Sequence, residues 1–289
     1  MTPFTAEWLA LREPADTKAR SAELVRALDA AIGCRDPLHG VDLATGTGAN
    51  VRYLATRLCG NQEWLLVDSD PHLLSRVGGE IGAWASARGD GVLVGDPATL
   101  VIQHQQATWR IVTECLNLAT ADTRSIVNGA RLMTASALLD LVSERWISEL
   151  AIQCREVGAA ALFALTYDGR IQCMPEETGD EAIRQMVNMH QRSDKGFDPA
   201  LGPDAVDFAE RLFVDMGYSV ERASSDWCLK SDHSALQTRL VDGWAEAAVA
   251  VTPSAAEMIR FWRGRRLAHI AAGRSRIVVG HQDLAAWLR

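Results

Sequence analysis

Through the first two thirds of this chain, apolar runs of strand length alternate with helical patterns, and no other feature constrains its fold as tightly. The runs are Leu38–Ala44, Glu63–Asp68, Trp109–Cys115, Ala130–Ser136 and Ala159–Tyr167; the helical patterns include Val51–Leu58, Pro71–Ala87 and Ala137–Val157. In the last of these, Leu138, Leu141, Val142, Trp146, Ile147, Leu150 and Ala151 recur at three- and four-residue spacing and make one apolar stripe. Such alternation builds βαβ units, hence a mostly parallel sheet with helices on both faces.

The last third reads differently. Tyr167-Asp168-Gly169-Arg170 carries the Asp-Gly signal of a hairpin turn, and a polar, glycine-rich stretch follows from Asn188 to Ala205. Then come a helix (Asp204–Met216), a strand (Tyr218–Leu229), a helical insertion (about Ser231–Ala272) and a final strand (Ser275–His281). With 289 residues, 48% of them apolar, and no internal repeat or low-complexity linker, one elaborated domain is expected.

Between the first strand and its helix lies "VDLATGTGAN", residues 41–50. Glycines there let the backbone pass close to a ligand, and the helix N-terminus beyond offers free N–H groups to an anion. "WLLVDSD" adds Asp68, twenty residues past Gly48, at the tip of the second strand, where a carboxylate can accept both hydroxyls of a ribose. A pyrophosphate fingerprint requires G-x-G-x-x-G/A, but counting from Gly46 the last position is Val51, and counting from Ala44 the first glycine is missing. Asp42 is also out of place beside two phosphates. An adenosine-bearing cofactor other than a dinucleotide fits these residues better.

The segment resembles the first motif of the class I S-adenosylmethionine-dependent methyltransferases, D-x-G-x-G-x-G. Asp42 takes the acidic position, Gly46 and Gly48 the second and third glycines, and Ala44 replaces the first; Thr45 and Asn50 belong to the same cofactor loop. The resemblance implies that Asp68, with Ser69, holds the ribose. It also sets Asn117-Leu118 of "TECLNLATAD" where the family has an Asp-Leu pair at the adenine. Thr134, Ala135 and Ser136 of "RLMTASALLDLVS" then lie beside the methionine portion, with Arg131 in place of the usual acid. The resemblance covers about Pro37 to Tyr167 and the last two strands. It implies an α/β three-layer Rossmann-like sandwich with a seven-stranded, mostly parallel sheet whose last strand is antiparallel, plus helical lid insertions. The single domain then comprises an N-terminal helical lid over 1–36, a core over 37–229 and 274–289, and a helical insertion over 230–273.

Ligands of open α/β sheets bind outside the carboxyl ends of the strands, so the insertion, the 188–205 loop and the N-terminal segment should build the acceptor pocket. The densest polar cluster is "NMHQRSDKGF". His190 or Asp194 is the expected catalytic group, histidine because it titrates near neutrality unaided. Asn188, Gln191, Arg192 and Lys195 are the expected substrate contacts, against the plainer alternative that His190 caps a helix end and the charges are solvated. "REPADTKAR" spaces Arg12, Asp16 and Arg20 four apart, with Pro14 interrupting any helix between the first two. The set is either a salt-bridge ladder or a source of one bidentate clamp, assigned to Arg20, on a carboxylate. Asp226 and Trp227 end the sixth strand at the pocket edge, although a tryptophan in an apolar strand also serves as core. His281 reads as structural.

The net charge of −8 argues against nucleic acid, and Arg260, Arg263, Arg265, Arg266, Arg274 and Arg276 read as a solvated face. Six cysteines without a C-x-x-C pair read as reduced thiols of a cytoplasmic protein. No apolar stretch suggests a signal peptide or membrane span, and no H-E-x-x-H or His–carboxylate cluster suggests a metal. Oligomeric state is not legible. The function implied is methyl transfer from S-adenosyl-L-methionine to an O, N or C atom of a small polar substrate. The alternatives are a catalytically silent sensor or scaffold that binds the cofactor, and an NAD-dependent oxidoreductase.

Overall fold

The computed structural model describes residues 4–34, 36–94 and 99–288. Its strands are β1 (Leu38–Leu43), β2 (Gln62–Asp68), β3 (Gly91–Val94), β4 (Thr99–His104), β5 (Ala107–Cys115), β6 (Leu132–Ser136), β7 (Ala160–Met174), β8 (Ser219–Ser224), β9 (Trp227–Leu229) and β10 (Arg276–Trp287). Its helices are α1 (Ala6–Ala19), α2 (Ala22–Ile32), α3 (Ala49–Ala55), α4 (Pro71–Ala87), α5 (Arg124–Val127), α6 (Glu144–Val157), α7 (Asp180–Gln191), α8 (Ala205–Asp215), α9 (Ser234–Val251) and α10 (Ala256–Ala271).

One ten-stranded sheet runs β3-β4-β5-β2-β1-β6-β7-β10-β8, with β9 paired to β10 off that path. The five central strands β5, β2, β1, β6 and β7 are parallel, and β10 is antiparallel to both β7 and β8. Helices α2, α3 and α4 cover one face and α5, α6 and α8 the other, each through its own apolar cluster. β1 can lie beside β2 only because residue 40 is glycine: a Cβ there would sit 2.5 Å from the Trp64 ring.

The three-layer sandwich and the reversed last strand are as expected, but the sheet has ten strands because of elements with little local signal. The β3–β4 hairpin at one edge rests on short apolar runs beside the strong pattern of β5. At Asp168-Gly169 there is no hairpin: β7 continues to Met174, because β10 supplies backbone partners from Ile171 to Met174. The expected Ser275–His281 strand is correspondingly longer, and the Tyr218–Leu229 run divides at Ser225 and Asp226 into β8 and β9. The helix expected from Ala137 begins at Glu144, capped by the Ser143 hydroxyl on Trp146 N. Pro14 does not interrupt α1, which runs through it, and the Asn188 end of the polar stretch belongs to α7.

The overhanging ends of β7, β10 and β9 form a platform for α1, α7, α9 and α10, with a third apolar cluster of Ala15, Tyr167, Trp227, Trp244 and Trp262 among others. This cap stands over the carboxyl edge of the sheet. The basic residues of α10 are an ion-paired seam within it: Arg263 with Asp242, Arg265 with Glu177, and the fully buried Arg266 with Asp180. Of the expected solvated basic face, Arg260, Arg265, Arg274 and Arg276 are exposed, whereas Arg266 is buried and holds α10 against α7.

The cysteines are also a correction. Cys34 and Cys59 are joined in a disulfide that ties the end of α2 to the turn before β2, while Cys115, Cys154, Cys173 and Cys228 are free. Sequence spacing could not show this pair, since 25 residues separate the two and contact is made only once β1 and β2 align. Thiol titration in denaturant should therefore count four groups before reduction and six after; six before reduction would exclude the bond. Among the described residues, no helix is long and apolar enough to cross a membrane.

Candidate functional site

β1 and β6 are neighbours whose connections leave in opposite directions, to β2 and to β7, so the switch point of the sheet lies between their carboxyl ends. Backbone strain gathers at this edge. Ala44 after β1, Ala137 after β6 and Leu165 within β7 are non-glycine residues with φ of 51°, 54° and 55°. Ala44 thus adopts the left-handed conformation that a glycine would take at no steric cost.

The loop after β1 is braced from beneath. Asp42 is fully buried, accepting from Thr45 Oγ1 at 2.5 Å and Asn50 Nδ2 at 2.6 Å; Asn50 also donates to Thr134 Oγ1 at 3.1 Å, which itself donates to Leu162 O at 2.7 Å. Burial pushes the Asp42 carboxyl up to about 6, against the pull of the Thr45 and Asn50 hydrogen bonds and the Arg20 charge. Asp42, Thr45, Asn50 and Thr134 therefore stitch β1, the loop and β6 together under the cleft. Asp68 sits at the tip of β2, where Oδ2 accepts from Gly46 N at 2.8 Å and Oδ1 from Asp70 N at 3.0 Å. Ser69 and Asn117 follow the carboxyl ends of β2 and β5, and Ser136 is the last residue of β6, on the same edge. Asn117 turns its Oδ1 to Ala119 N at 2.9 Å, and buried Leu118 accepts Trp146 Nε1 at its carbonyl. Gly46 and Gly48 have φ of 58° and 80°, and a Cβ on Gly46 would lie 2.8 Å from Leu9 of α1, which covers the loop.

Arg20, at the end of α1, is 7% exposed, with its guanidinium 4.0 Å from the centre of the Tyr53 ring. Its Nε and Nη2 are buried without a hydrogen-bond partner among the described residues. Burial lowers its pKa despite the carboxylates of Asp283, Asp42 and Asp16 around it.

The polar cluster of α7 is divided. Asn188 accepts from Tyr167 Oη at 2.7 Å and donates to Gly169 O, and Arg192 is exposed and paired with Asp204. Asp194 is exposed, its Oδ1 capping a turn at Gly196 N. His190 lies in the last turn of α7; its carbonyl and Nδ1 face Lys195 Nζ at 2.8 and 3.3 Å, and burial and then Lys195 lower its pKa. Gln191 reaches across to Asp140 at 3.2 Å. Trp227 is buried between Arg12, 5.0 Å above its ring, and His281, and donates to Asp16 at 3.0 Å.

Asp283 and Asp140 carry no sequence signal, and His281 reads only as structural. Asp283, in the last strand, joins α2 to β7. His281 is neutral, its pKa pushed by burial to about 3, and its ring lies 6.3 Å from that of Tyr167. Asp140, just past β6 in "ALLDLVS", looks like part of an apolar helix, yet it is 4% exposed and burial pushes its carboxyl up to about 6. The sign of that shift yields an expected result. Below pH 4 both folded and unfolded chains are protonated at Asp140; as pH rises through 6, the folded protein alone bears the penalty of a buried charge, roughly 3 kcal/mol. Asp140→Asn should therefore melt higher than wild type at pH 8 and level with it at pH 4. Parallel melting curves across that range would refute the assignment.

The reversed β10 between β7 and β8, the parallel centre and the braced loop together make a three-layer Rossmann-like α/β sandwich. No family model matches the chain, and no curated protein matches it. Solved structures similar to it include a SAM-dependent methyltransferase from Geobacter sulfurreducens in complex with S-adenosyl-L-homocysteine, at 15% identity and a TM-score of 0.45, covering 96% of this chain and 98% of that one. A second, from Thiobacillus denitrificans with the same ligand, has 13% identity and a TM-score of 0.43, covering 100% of each chain. A geranyl diphosphate methyltransferase in complex with SAM has 10% identity and a TM-score of 0.43, covering 99% of this chain and 92% of that one.

Proposed function

We propose that this chain transfers a methyl group from S-adenosylmethionine to a small polar molecule. The observation that carries the proposal is Arg20. A buried guanidinium with two nitrogens lacking partners is costly unless an anion completes it, and the amino-acid end of this cofactor carries a carboxylate. Left-handed Gly46 and Gly48 keep side chains out of the adjoining loop. Each oxygen of Asp68 accepts one backbone N–H and keeps a lone pair for a ribose hydroxyl. Asn117 offers its Nδ2 to the adenine, beside Leu118, and Ala135 and Ser136 flank the methionine portion.

The bound cofactor supplies an electrophilic methyl group on a sulfonium. The chain's own work is to hold the acceptor atom roughly 3 Å from that methyl and to exclude water. α1 serves the second task, with Leu9 over the loop and Glu13 paired to the buried Arg52 at 2.6 Å. On the acceptor side, Gln191, Lys195, His190 and Trp227 remain the contacts of interest, while Asn188 and Arg192 act as braces through Tyr167 and Asp204.

Isothermal titration with S-adenosylmethionine tests the cofactor, and no heat at millimolar ligand would end the proposal. Turnover of a labelled methyl group in a mixture of metabolites then separates an enzyme from a silent binder.

A further inference from the structure

Beyond β6 the chain makes a single helical turn, Leu139–Leu141, packed against β7 and α8, and buries Asp140 within it. One carboxylate oxygen is engaged: Oδ2 accepts from Gln191 Nε2 at 3.2 Å. The other, Oδ1, is buried with no hydrogen-bond partner among the described residues. The groups facing Asp140 are Arg12 from α1, Lys195 after α7, Tyr167 from β7, and the N–H groups of Asp140 and Tyr167. Both cations are committed elsewhere. Arg12 forks onto Asp16 at 2.8 and 3.2 Å, and Lys195 Nζ donates to His190 O and Ser193 Oγ, each at 2.8 Å. The Tyr167 hydroxyl is held by Asn188. A carboxylate beside two cations that do not neutralise it is a poor stabilising element, and its free oxygen is a ready acceptor for a proton-bearing ligand.

We propose that Asp140 receives the N–H or O–H proton of the methyl acceptor, so that the substrate is an amine or a hydroxyl compound. This rests on the methyltransferase assignment above. Loss of a proton frees the lone pair of an ammonium nitrogen, a hydroxyl oxygen already having one; that pair forms the bond to the methyl carbon, and the carbon–sulfur bond breaks with its pair left on sulfur. The acceptor's proton passes to Asp140 Oδ1. Burial holds this carboxyl near 6, so it is ionised at neutral pH and more basic than an ordinary aspartate.

The test uses the full chain saturated with S-adenosylhomocysteine and calorimetric titration of two sets of probes. One set is tyramine, ethanolamine and catechol; the other is benzoate, acetate and inorganic phosphate. At least one probe of the first set should bind, and Asp140→Asn should weaken it at least 10-fold while S-adenosylhomocysteine binds within 2-fold of wild type. In wild type, binding of tyramine, which stays protonated throughout, should weaken as pH falls through 6. Labelled methyl transfer to the bound probe should fall roughly 100-fold or more in the variant, the range of a general base. Binding by the second set alone, by no probe, or equally by wild type and variant would overturn the role of Asp140. Should Asp140→Asn lose S-adenosylhomocysteine itself, the wild-type pH dependence decides, and a flat profile overturns the proposal. Failure of wild type to bind S-adenosylhomocysteine would instead overturn the methyltransferase assignment on which it rests.

Discussion

Replacing Arg20 with methionine should lower the affinity for S-adenosylhomocysteine about 100-fold, and replacing it with lysine should lower it by a smaller factor. Two charge-assisted hydrogen bonds to a carboxylate in a buried setting are worth about 3 kcal/mol together, which corresponds to a factor of roughly 100 in Kd. Lysine keeps the positive charge that faces Asp283 and Asp42 but has no planar fork, so it recovers only part of the interaction. The order arginine, lysine, methionine in affinity, with a cooperative melt in all three, would separate a ligand contact from a folding defect. Equal affinities would remove Arg20 from the cofactor site and, with it, the main support for the cofactor's orientation.

Asp283→Ala should lower the melting temperature by roughly 10 °C. Asp283 is 2% exposed and accepts from Leu165 N at 2.8 Å and Ser21 N at 2.9 Å. Its neighbourhood explains why a carboxylate is needed. The β7–β10 ladder shifts register between Gln282 and Leu284, and Leu165 is held at a positive φ, so its N–H has no strand partner. Asp283 satisfies that N–H and, with its second oxygen, the first turn of α2. Alanine would leave the buried Leu165 N–H and the part-buried Ser21 N–H unpaired and would remove the acid whose charge acts most on Arg20, a loss of about 4 kcal/mol. At roughly 2–4 °C per kcal/mol for a chain of this size, the shift is easily measured by calorimetry, and a change under about 3 °C would show that water replaces the carboxylate. The same variant should weaken cofactor binding, because Arg20 directly precedes Ser21 on the segment that Asp283 anchors.

Both residues show how a functional edge can be built at the expense of local comfort. Buried Asp42, buried Asp140 and the left-handed Ala44, Ala137 and Leu165 are each unfavourable in isolation. They converge on one edge, while the apolar clusters on both faces of the sheet supply the stability that tolerates them.

The sequence by itself determined the layered α/β architecture, the parallel centre and the glycine loop after β1, with Asp42, Gly46 and Gly48 in it and Asp68 at the tip of the next strand. Those are written in periodicity and in short spacings, because a strand, a helix and the loop between them are specified by residues adjacent in the chain. Only the tertiary structure decided the rest. Asp168-Gly169 carries a local turn signal that the distant β10 overrides, and Cys34 meets Cys59 only after β1 and β2 have paired. Asp140 reads as one polar residue in an apolar run until α7 delivers Gln191 to it from 51 positions away. Asp283 means nothing until it meets residues 118 and 262 positions earlier. Contacts of that range depend on where whole elements dock, and no local pattern of residues encodes them.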